Sequence, residues 1–426
     1  MLTKAPRGTS DLYGSAMEAW QGLEEKIRIQ CAAYGFKEIR TPVFEHTELF
    51  QRGVGETTDI VQKEMYTFQD KKGRSLTLKP EGTAGVVRAY LEQKMYADTQ
   101  PTKLFYFTPA FRYEKPQAGR MRQFHQFGVE LFGSGEPAAD AEVIALASQM
   151  LDRLGIRNVE LQVNSLGGGA CRQNYNRMLE GFLQEHREGL CETCRERMER
   201  NPLRVLDCKV PSCQEVMKDA PLIIDNLGPE CREHFEKTLG LLDAMGIPYA
   251  VNPWIVRGLD YYTKTVFEFV SKEIGAQGTV CGGGRYDNLI QECGGDPTPA
   301  VGFGAGIERL LMTMEKSGAI THKAPGVDLY IAHMGPQAQA KAFALAQSLR
   351  GQDHHVETDL LGKSVKAQMK QANRLGARRS MVVGDTELAQ GAAQVKDMET
   401  GAQETVAFDG LANYLMRQKS IEPGGN

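Results

Sequence analysis

Two aromatic-rich runs separated by a polar loop constrain the fold of this chain more than any other feature. The runs 103–113 (KLFYFTPAFRY) and 123–132 (QFHQFGVELF) are strand-like, and the loop between them contains Pro116 and Gly119. The loop is too long for a tight hairpin, so the pattern predicts an antiparallel strand pair with an extended connection. Because connections of unusual length are often functional, we regard this loop as a candidate functional segment.

Hydrophobic periodicity predicts the elements around this strand pair. It predicts helices over 16–35, from Ala84 onward and over 137–154, strands over 36–44, 75–79, from Ile255 to Phe269 and at Thr279–Val280, a turn at Gly282–Gly284, and a strand, glycine turn and helix over 300–315. Residues 170–245 are helix-rich and charged, which indicates an inserted helical subdomain.

A second pattern follows a linker that we place at 315–326. Strands at 328–334, 354–359 and 380–385 alternate with helices at 336–350 and 363–375, and a further strand and helix follow. This spacing predicts a small α/β domain of about 100 residues with a parallel or mixed sheet. The expected domains are therefore 1–320, which contains the insertion 170–245, and 327–426.

Charge and composition exclude several classes of protein. The net charge is −4 and the pI is near 6.1, so any nucleic acid must be bound through local basic patches. No apolar stretch approaches the roughly 20 residues of a membrane helix, and the N-terminus lacks the apolar core of a signal peptide. The nine cysteines are mostly scattered, as expected of reduced thiols. We therefore expect a cytoplasmic protein with no membrane segment.

The heptapeptide Arg257–Thr263 concentrates binding chemistry in a few residues. It joins a permanent cation, a glycine, a carboxylate and the hydroxyls of Tyr261 and Tyr262, just before the strand that contains Glu268. Such a set could bind a small molecule that carries an anion and a hydrogen-bonding ring. The alternative is a surface turn in which Arg257 and Asp260 form a solvated pair.

A second constellation lies on the aromatic strands. Arg112 and Glu114 end the first strand and Arg120 lies in the loop, while Gln126 and Glu130 share one face of the second strand by the period of two. Glu130 lies among apolar residues, where an unpaired charge is costly, so it needs a partner. That partner is either a structural arginine or a ligand.

Two further segments are more ambiguous. Glu81 and Thr83 at a strand end could hold an ammonium group, or could serve the first amides of a helix. Arg309 follows a glycine-rich turn and could pair with a phosphate. Neither a phosphate-binding loop ending in Gly-Lys-Ser/Thr nor a dinucleotide fingerprint is present in the sequence.

Together these segments resemble the class II aminoacyl-tRNA synthetases, and specifically the histidyl-tRNA synthetases. The resemblance covers nearly the whole chain in order: motif 1 at 36–60 including Pro42, motif 2 from Phe111 to Gly133, motif 3 from Gly302 to Arg309, and two more specific histidine signatures at Arg257–Thr263 and Gly282–Asp287. It implies an α+β catalytic domain with an antiparallel sheet, a helical insertion, and a C-terminal α/β domain of the anticodon-binding kind.

The resemblance also implies roles for the candidate residues. Glu81, Thr83 and Gln126 would bind the α-ammonium of histidine, and Glu130 and Tyr262 would bind its imidazole. Tyr261 and Tyr286 would also bind histidine. The ATP-binding residues would be Arg112, Glu114, Arg120 and Arg309. Arg112 and Arg257 would be catalytic, with Arg257 on the α-phosphate where charge grows. No general base for the transfer step is evident.

The implied reaction joins histidine to the 3′ end of tRNA(His) through histidyl-adenylate. ATP would enter with Mg²⁺ on its β- and γ-phosphates, and the enzyme would be a homodimer formed through the motif 1 surface. Two alternatives remain. A non-catalytic paralogue of this family regulates the first enzyme of histidine biosynthesis but typically lacks the tail domain. Another class IIa synthetase would need a different pocket from Glu130 with Tyr262.

Cations recur through the predicted helix 363–375 of the tail domain. Lys363, Lys366, Lys370, Arg374 and Arg378 follow one another at spacings of three and four, with Val365, Met369 and Ala372 expected toward the core. The alternatives are a tRNA-binding surface and a solvated helix face.

Four cysteines of the insertion have the look of a thiolate metal site. Cys191 and Cys194 form a C-x-x-C pair, and Cys208 and Cys213 follow with four residues between them, so these four are zinc candidates. The wider spacing of the second pair and the variability of the insertion in the family argue against zinc, and we expect no other metal site.

Overall fold

The computed structural model describes residues 3–55, 58–117, 119–271, 278–319 and 326–421. These residues fall into two compact units, Met1–Thr321 and His322–Asn426. Over the described ranges, no helix combines the length and the apolar character needed to cross a bilayer.

The first unit is built on one large sheet and a small one. Its strands are β1 (Lys37–Glu38), β2 (Phe44–His46), β3 (Tyr66–Gln69), β4 (Ser75–Leu78), β5 (Thr102–Phe111), β6 (Gln123–Phe132), β7 (Val159–Ser165), β8 (Ala250–Val251), β9 (Thr263–Ser271), β10 (Thr279–Arg285) and β11 (Ala300–Gly306). Its helices are α1 (Ser15–Ala33), α2 (Thr47–Val54), α3 (Thr83–Glu92), α4 (Pro137–Arg153), α5 (Gly169–Glu185), α6 (Glu192–Arg200), α7 (Pro211–Met217), α8 (Pro229–Ala244), α9 (Leu289–Glu292) and α10 (Ile307–Lys316).

The large sheet has the strand order β1-β5-β6-β11-β10-β9-β7-β8. Its central pairs are antiparallel, and the two edge pairs, β1 with β5 and β7 with β8, are parallel. The long pair β5–β6 is the one that the aromatic runs predict. The small sheet, β2-β4-β3, is antiparallel throughout.

One hydrophobic core packs helices against the large sheet. It joins side chains of α1, α4, α8 and α10 to inward-facing residues of the sheet, including Phe127, Phe267 and Phe303. In α1 the residues Trp20, Leu23, Ile27 and Cys31 are buried at the spacing that the sequence predicts, whereas Ala16 in the first turn is exposed. A second core fills the insertion α5–α8 and reaches the turn before β9.

Four predicted elements differ from the structure. The strand predicted from Ile255 begins only at Thr263, as β9. Gly282–Gly284 is not a turn but the middle of β10, and the glycine turn predicted within 300–315 is the strand β11. Glycine normally weakens a strand, but here the two strands pair with each other and with β9 and β6. The strand predicted over 36–44 is reduced to the short strands β1 and β2 on either side of Pro42.

A buried ion network ties β10 to α4. The guanidinium of Arg285, which is fully buried, donates to both oxygens of Asp140 and to the carbonyl of Ser134. Asp140 also pairs with His234 of α8. Because breaking such a pair leaves a buried charge, these contacts fix the histidine signature Gly282–Asp287 within the sheet.

The second unit is a mixed sheet covered by helices. Its strands are β12 (Leu329–His333), β13 (Val356–Thr358), β14 (Arg379–Val383), β15 (Ala392–Asp397) and β16 (Gln403–Ala407), and its helices are α11 (Pro336–Arg350), α12 (Val365–Arg374), α13 (Asp385–Gln390) and α14 (Leu411–Ile421). The order is β13-β12-β14-β15-β16, with parallel pairs around β12 and antiparallel pairs beyond β14.

Candidate active site

The register of the large sheet places a row of glycines across one face. Gly128 of β6 lies opposite Gly304 of β11, which lies opposite Gly282 of β10. Tyr106 of β5 and Glu268 of β9 end the row on either side. Since directly paired residues share a face, the three glycines leave an open floor between two polar side chains.

Polar side chains occupy the space that these and neighbouring glycines leave. A Cβ at Gly282 would lie 2.7 Å from Nη1 of Arg257, and one at Gly304 would lie 2.3 Å from Nε2 of Gln126. A Cβ at Gly302 would lie 2.1 Å from Oε2 of Glu130. The glycines are therefore required by the close approach of functional groups to the sheet.

A cavity of about 180 Å³ lies on this floor. It is lined by Ile60, Glu81, Thr83, Arg112, Gln126, Glu130, Arg257, Gly258, Leu259, Tyr261, Tyr262, Gly282, Tyr286, Gly302, Phe303 and Gly304. All the side chains that the sequence assigns to amino-acid binding are in this lining. They come from four separate parts of the chain, which the fold brings together.

Glu130 is as buried as Glu81, the other acid of the cavity, with 1% of its surface exposed. Its partners are hydroxyls rather than an arginine. Thr83 and Tyr106 donate to Oε1 at 2.9 and 3.1 Å, and Tyr286 donates to Oε2. Burial raises the pKa of Glu130 to about 8, against the opposing effect of these hydroxyls. The carboxyl group is thus poised to change charge near neutral pH.

Glu81 caps the helix α3 as well as lining the cavity. Its carboxylate accepts from the backbone amides of Thr83 at 2.7 Å and Ala84 at 2.8 Å, as the helix-start alternative predicts. Burial raises its pKa. The side-chain oxygen of Gln126 accepts from the backbone amide of Gly82 at 2.9 Å, which fixes its amide group over the floor.

Arg257 forms a half-buried ion pair at the cavity wall. Its guanidinium donates to Glu268, which also accepts from the hydroxyl of Thr279 at 2.8 Å, and its Cζ lies 5.5 Å from the ring centre of Tyr262. Burial lowers the pKa of Arg257, but the Glu268 carboxylate, Tyr262 and Tyr261 together outweigh burial and raise it. The cation is therefore fixed in place before any ligand arrives.

A second cavity, of about 270 Å³, adjoins the first. Its lining includes Arg112, Glu114, Arg120 and Arg309, and it shares Arg112, Arg257, Gly282 and Gly304 with the first cavity. The three lining arginines other than Arg257 each donate to an oxygen acceptor. Arg112 donates to the carbonyl of Pro80 at 2.9 Å, Arg120 to Glu114 at 3.2 Å, and Arg309 to the carbonyl of Thr279 at 2.7 Å. This cavity suits a polyanion.

The heptapeptide is an interior segment, not the surface turn of the alternative interpretation. Tyr261 and Tyr262 are buried, and the side chain of Arg257 is 17% exposed. Asp260 accepts from the side-chain amide of Asn201 at 2.6 Å, and Arg204 donates to the carbonyl of Arg257 at 3.1 Å. The insertion therefore holds the turn that carries the arginine.

Sequence reasoning missed two site residues, which lie on β5 and β9 at opposite ends of the glycine row. Tyr106 reaches Glu130 because β5 places it opposite Gly128, and Glu268 pairs with Arg257 from β9. Both residues have a sequence feature that marks them as candidates. Tyr106 is a polar aromatic residue next to buried phenylalanines, and Glu268 is a single charged residue between Phe267 and Phe269. Only the register shows which partners they meet.

The tail cations do not form the single helical stripe that the spacing predicts. Lys366, Lys370 and Arg374 lie on α12, whereas Lys363 precedes the helix and Arg378 follows it. Helix α12 begins at Val365 because Ser364 has the extended backbone of a cap residue. Ala372 is buried and Met369 packs partly against the core, as predicted, while Val365 is half-buried.

Two family models match the chain. Residues 8–310 match the model described as histidyl-tRNA synthetase, and residues 328–418 match an anticodon-binding domain. The chain is 58% identical to histidine–tRNA ligase of Thermoanaerobacter pseudethanolicus, over 97% of the chain and 99% of that relative, and 52% identical to that of Acetivibrio thermocellus, over 97% and 100%.

Solved structures share the architecture. Apo histidyl-tRNA synthetase of S. aureus is 39% identical, with a TM-score of 0.84 over 97% of this chain and 100% of that one. A Bacillus halodurans protein described as an ATP phosphoribosyltransferase regulatory subunit/histidyl-tRNA synthetase is 22% identical, with a TM-score of 0.65 over 90% and 98%, and shows the fold alone.

Proposed function

The chain belongs to the histidyl-tRNA synthetase family, and from that premise we propose how its residues carry out the reaction of a histidine–tRNA ligase. Histidine and ATP form histidyl-adenylate and pyrophosphate, and the histidyl group then passes to the 3′ end of tRNA(His). The observation that carries the proposal is the pair of adjoining cavities that share Arg112 and Arg257.

We propose that the 180 Å³ cavity binds histidine. Glu81, Thr83 and Gln126 surround the α-ammonium, and Tyr261 and Tyr286 form walls. Glu130 accepts an imidazole N–H, and Tyr262 contacts the other ring nitrogen. A carboxylate offers about four acceptor sites, and three hydroxyls use three of those of Glu130, which leaves one for the ligand. An amino acid without that donor would leave the site unsatisfied.

The 270 Å³ cavity is proposed as the ATP site. Arg112 contacts the α-phosphate, Arg309 the γ-phosphate end, and Glu114 and Arg120 complete the lining. ATP enters with Mg²⁺ on its β- and γ-phosphates, so the ion is part of the substrate.

Arg257 is proposed to stabilise the transition state of adenylate formation. The histidine carboxylate attacks the α-phosphorus, and negative charge grows on the α-phosphate oxygens where the two cavities meet. The pairing of Arg257 with Glu268 fixes the guanidinium in advance, so little reorganisation is needed as that charge develops. Interactions that strengthen only in the transition state raise kcat rather than substrate affinity.

The substitution Arg257→Ala tests this role. We expect kcat for histidine-dependent pyrophosphate exchange to fall on the order of 100- to 1000-fold, while the histidine dissociation constant, measured by calorimetry, changes only a few-fold. Arg153→Ala, at an exposed position on α4, should change neither quantity. Equal losses in rate and affinity would reduce Arg257 to a binding residue, and an exchange-inactive wild-type protein would favour a regulatory role.

A wide groove beside these cavities is proposed to receive the acceptor end of the tRNA. Its volume is about 940 Å³. Its cationic lining residues are Arg120, Arg197, Arg204, Lys209, Lys218, Arg257 and Arg309, against the two acids Asp207 and Glu268. This excess of positive charge suits a phosphate backbone, and the groove reaches Arg257, where the adenylate forms. The exposed cations of α12 are proposed to bind another part of the tRNA.

We also propose a homodimer formed through the motif 1 surface, and a cytoplasmic location. The small sheet supports the dimer, because Phe44 and Phe68 on its strands are 47% and 44% exposed and Val43 beside it is 41% exposed. Apolar side chains exposed close together are typical of surfaces that pair with another protein.

A further inference from the structure

Four of the nine cysteines converge in the insertion. Cys191 immediately precedes α6 and Cys194 lies in its first turn, while Cys208 and Cys213 lie before and within α7. Their sulfur atoms all lie within 4.8 Å of one another, and those of Cys191 and Cys208 are 3.9 Å apart. Three separate turns of the chain thus bring four thiols to one point.

The spacing of these sulfur atoms matches a tetrahedral metal site. Thiolates at about 2.3 Å from a zinc ion lie roughly 3.8 Å apart. Cys194 and Cys213 are fully buried and Cys208 nearly so. The backbone amide of Cys191 donates to the sulfur of Cys213 at 3.1 Å, which is a contact that favours a thiolate. Among the residues that the structure describes, no carboxylate or histidine joins the group, as is typical of closed structural sites rather than catalytic ones.

We propose that Cys191, Cys194, Cys208 and Cys213 bind one zinc ion as four thiolates. The thiols release their protons to solvent on binding, and no redox change is involved. The C-x-x-C pair supplies two ligands from one helix start, and the wider second pair is accommodated because Pro211 begins α7 between its two cysteines.

The same ion would fix the segment that holds the Arg257 turn. Between Cys194 and Cys208 the chain runs through Asn201, which donates to Asp260, and Arg204, which donates to the carbonyl of Arg257. Zinc would thus anchor both ends of a segment of positioning residues. This consequence rests on the proposed role of Arg257, whereas the metal site itself does not.

Metal analysis of the full-length protein, purified without chelator, tests the site directly. We expect about one zinc per chain, nine thiols after denaturation in chelator, and fewer reactive thiols while the native protein holds its metal. Exchange of the metal for cobalt(II) should give the intense visible absorption of tetrahedral thiolate coordination. Absence of zinc together with failure to take up cobalt would overturn the proposal, and a thiol count below nine would point to disulfides instead.

The double substitution Cys208→Ser/Cys213→Ser tests the ligand set. It should lower zinc to near zero per chain and lower the melting temperature, and Cys171→Ser in the same subdomain but outside the cluster should do neither. In pyrophosphate exchange the double variant should lose kcat on the order of ten- to 100-fold with little change in the KM for histidine, because Arg257 is misplaced.

The two parts of the inference fail separately. Zinc that persists in the double variant would contradict the ligand assignment. Loss of zinc with unchanged kcat would leave the metal site standing and contradict its link to Arg257. Should the double variant not fold, the cobalt spectrum and thiol count of the wild-type protein still decide whether the site exists.

Discussion

Glu130 shows how one residue can couple binding to protonation. Burial raises its pKa to about 8, so in the empty cavity near neutral pH the carboxyl group is largely protonated. An imidazole N–H needs an acceptor, and because three hydroxyls already donate to Glu130, the ionised form is the one that keeps an acceptor site free for it. Histidine with a neutral ring must therefore displace a proton from Glu130 when it binds, and a ligand that favours one protonation state shifts the pKa in return.

The substitution Glu130→Gln tests this coupling. We expect wild-type histidine affinity to increase as pH rises from about 6.5, where the imidazole becomes neutral, to about 8. The glutamine variant should lack this increase and lose on the order of 100-fold in kcat/KM for exchange. Calorimetry at several pH values measures the affinity, and a parallel pH profile in both proteins would contradict the assignment.

The same substitution should lower activity but raise stability at high pH. The ordinary pKa of a glutamate is 4.5, so between that pH and about 8 the folded wild-type protein keeps a proton that the unfolded chain has lost. Its free energy of unfolding therefore falls as pH rises through this window. At pH 8.5 Glu130→Gln should be more stable than wild type, by on the order of a few kcal/mol, in denaturant unfolding.

At the scale of the element, strand β10 combines two kinds of glycine. The three atoms nearest to a Cβ at Gly282 would all belong to the guanidinium of Arg257, at 2.7–3.0 Å, at the far end of its side chain. A Cβ at Gly283 would meet the backbone of β11, with the carbonyl oxygen of Gly302 at 2.1 Å. One glycine therefore serves the site, and its neighbour serves the packing of the strands.

Alanine substitutions should separate these two roles. Gly282→Ala should fold with nearly unchanged melting temperature but lose on the order of 100-fold in kcat for exchange, because Arg257 must shift. Gly283→Ala should be destabilised by a few kcal/mol. Gly181→Ala, in α5 with no atom within 4 Å of the added methyl group, should be neutral or slightly stabilising. A destabilised but active Gly282→Ala would reverse the assignment.

These elements also show what the sequence can and cannot predict. Periodicity places β5 and β6 within a residue or two, because their alternation is long and aromatic. It misassigns Gly282–Gly284 as a turn, because glycine has no strand preference of its own and the pairing partners are remote in the chain. The partners of Glu130 and Arg257 depend on strand register, which periodicity within one strand does not contain.

At the scale of the whole molecule, the chain divides its work between two units with separate hydrophobic cores. The alternation of strands and helices predicts the second unit, and its length and a mixed sheet follow from the same pattern. Every cavity proposed above for histidine, ATP or the acceptor end lies within the first unit. The second unit contributes exposed cations on α12. Substitutions of these cations should therefore weaken tRNA binding without changing the rate of adenylate formation.

The double substitution Lys366→Gln/Lys370→Gln tests that separation. If both lysines contact phosphates, the KM for tRNA(His) should rise, and the slope of log affinity against log salt should become shallower by about 1.4–1.8. Pyrophosphate exchange should be unchanged. Lys396→Gln/Arg417→Gln removes the same charge from exposed positions on β15 and α14 of the same unit and should leave the salt slope intact. Equal effects of the two pairs would mean that net charge, rather than the surface of α12, attracts the tRNA.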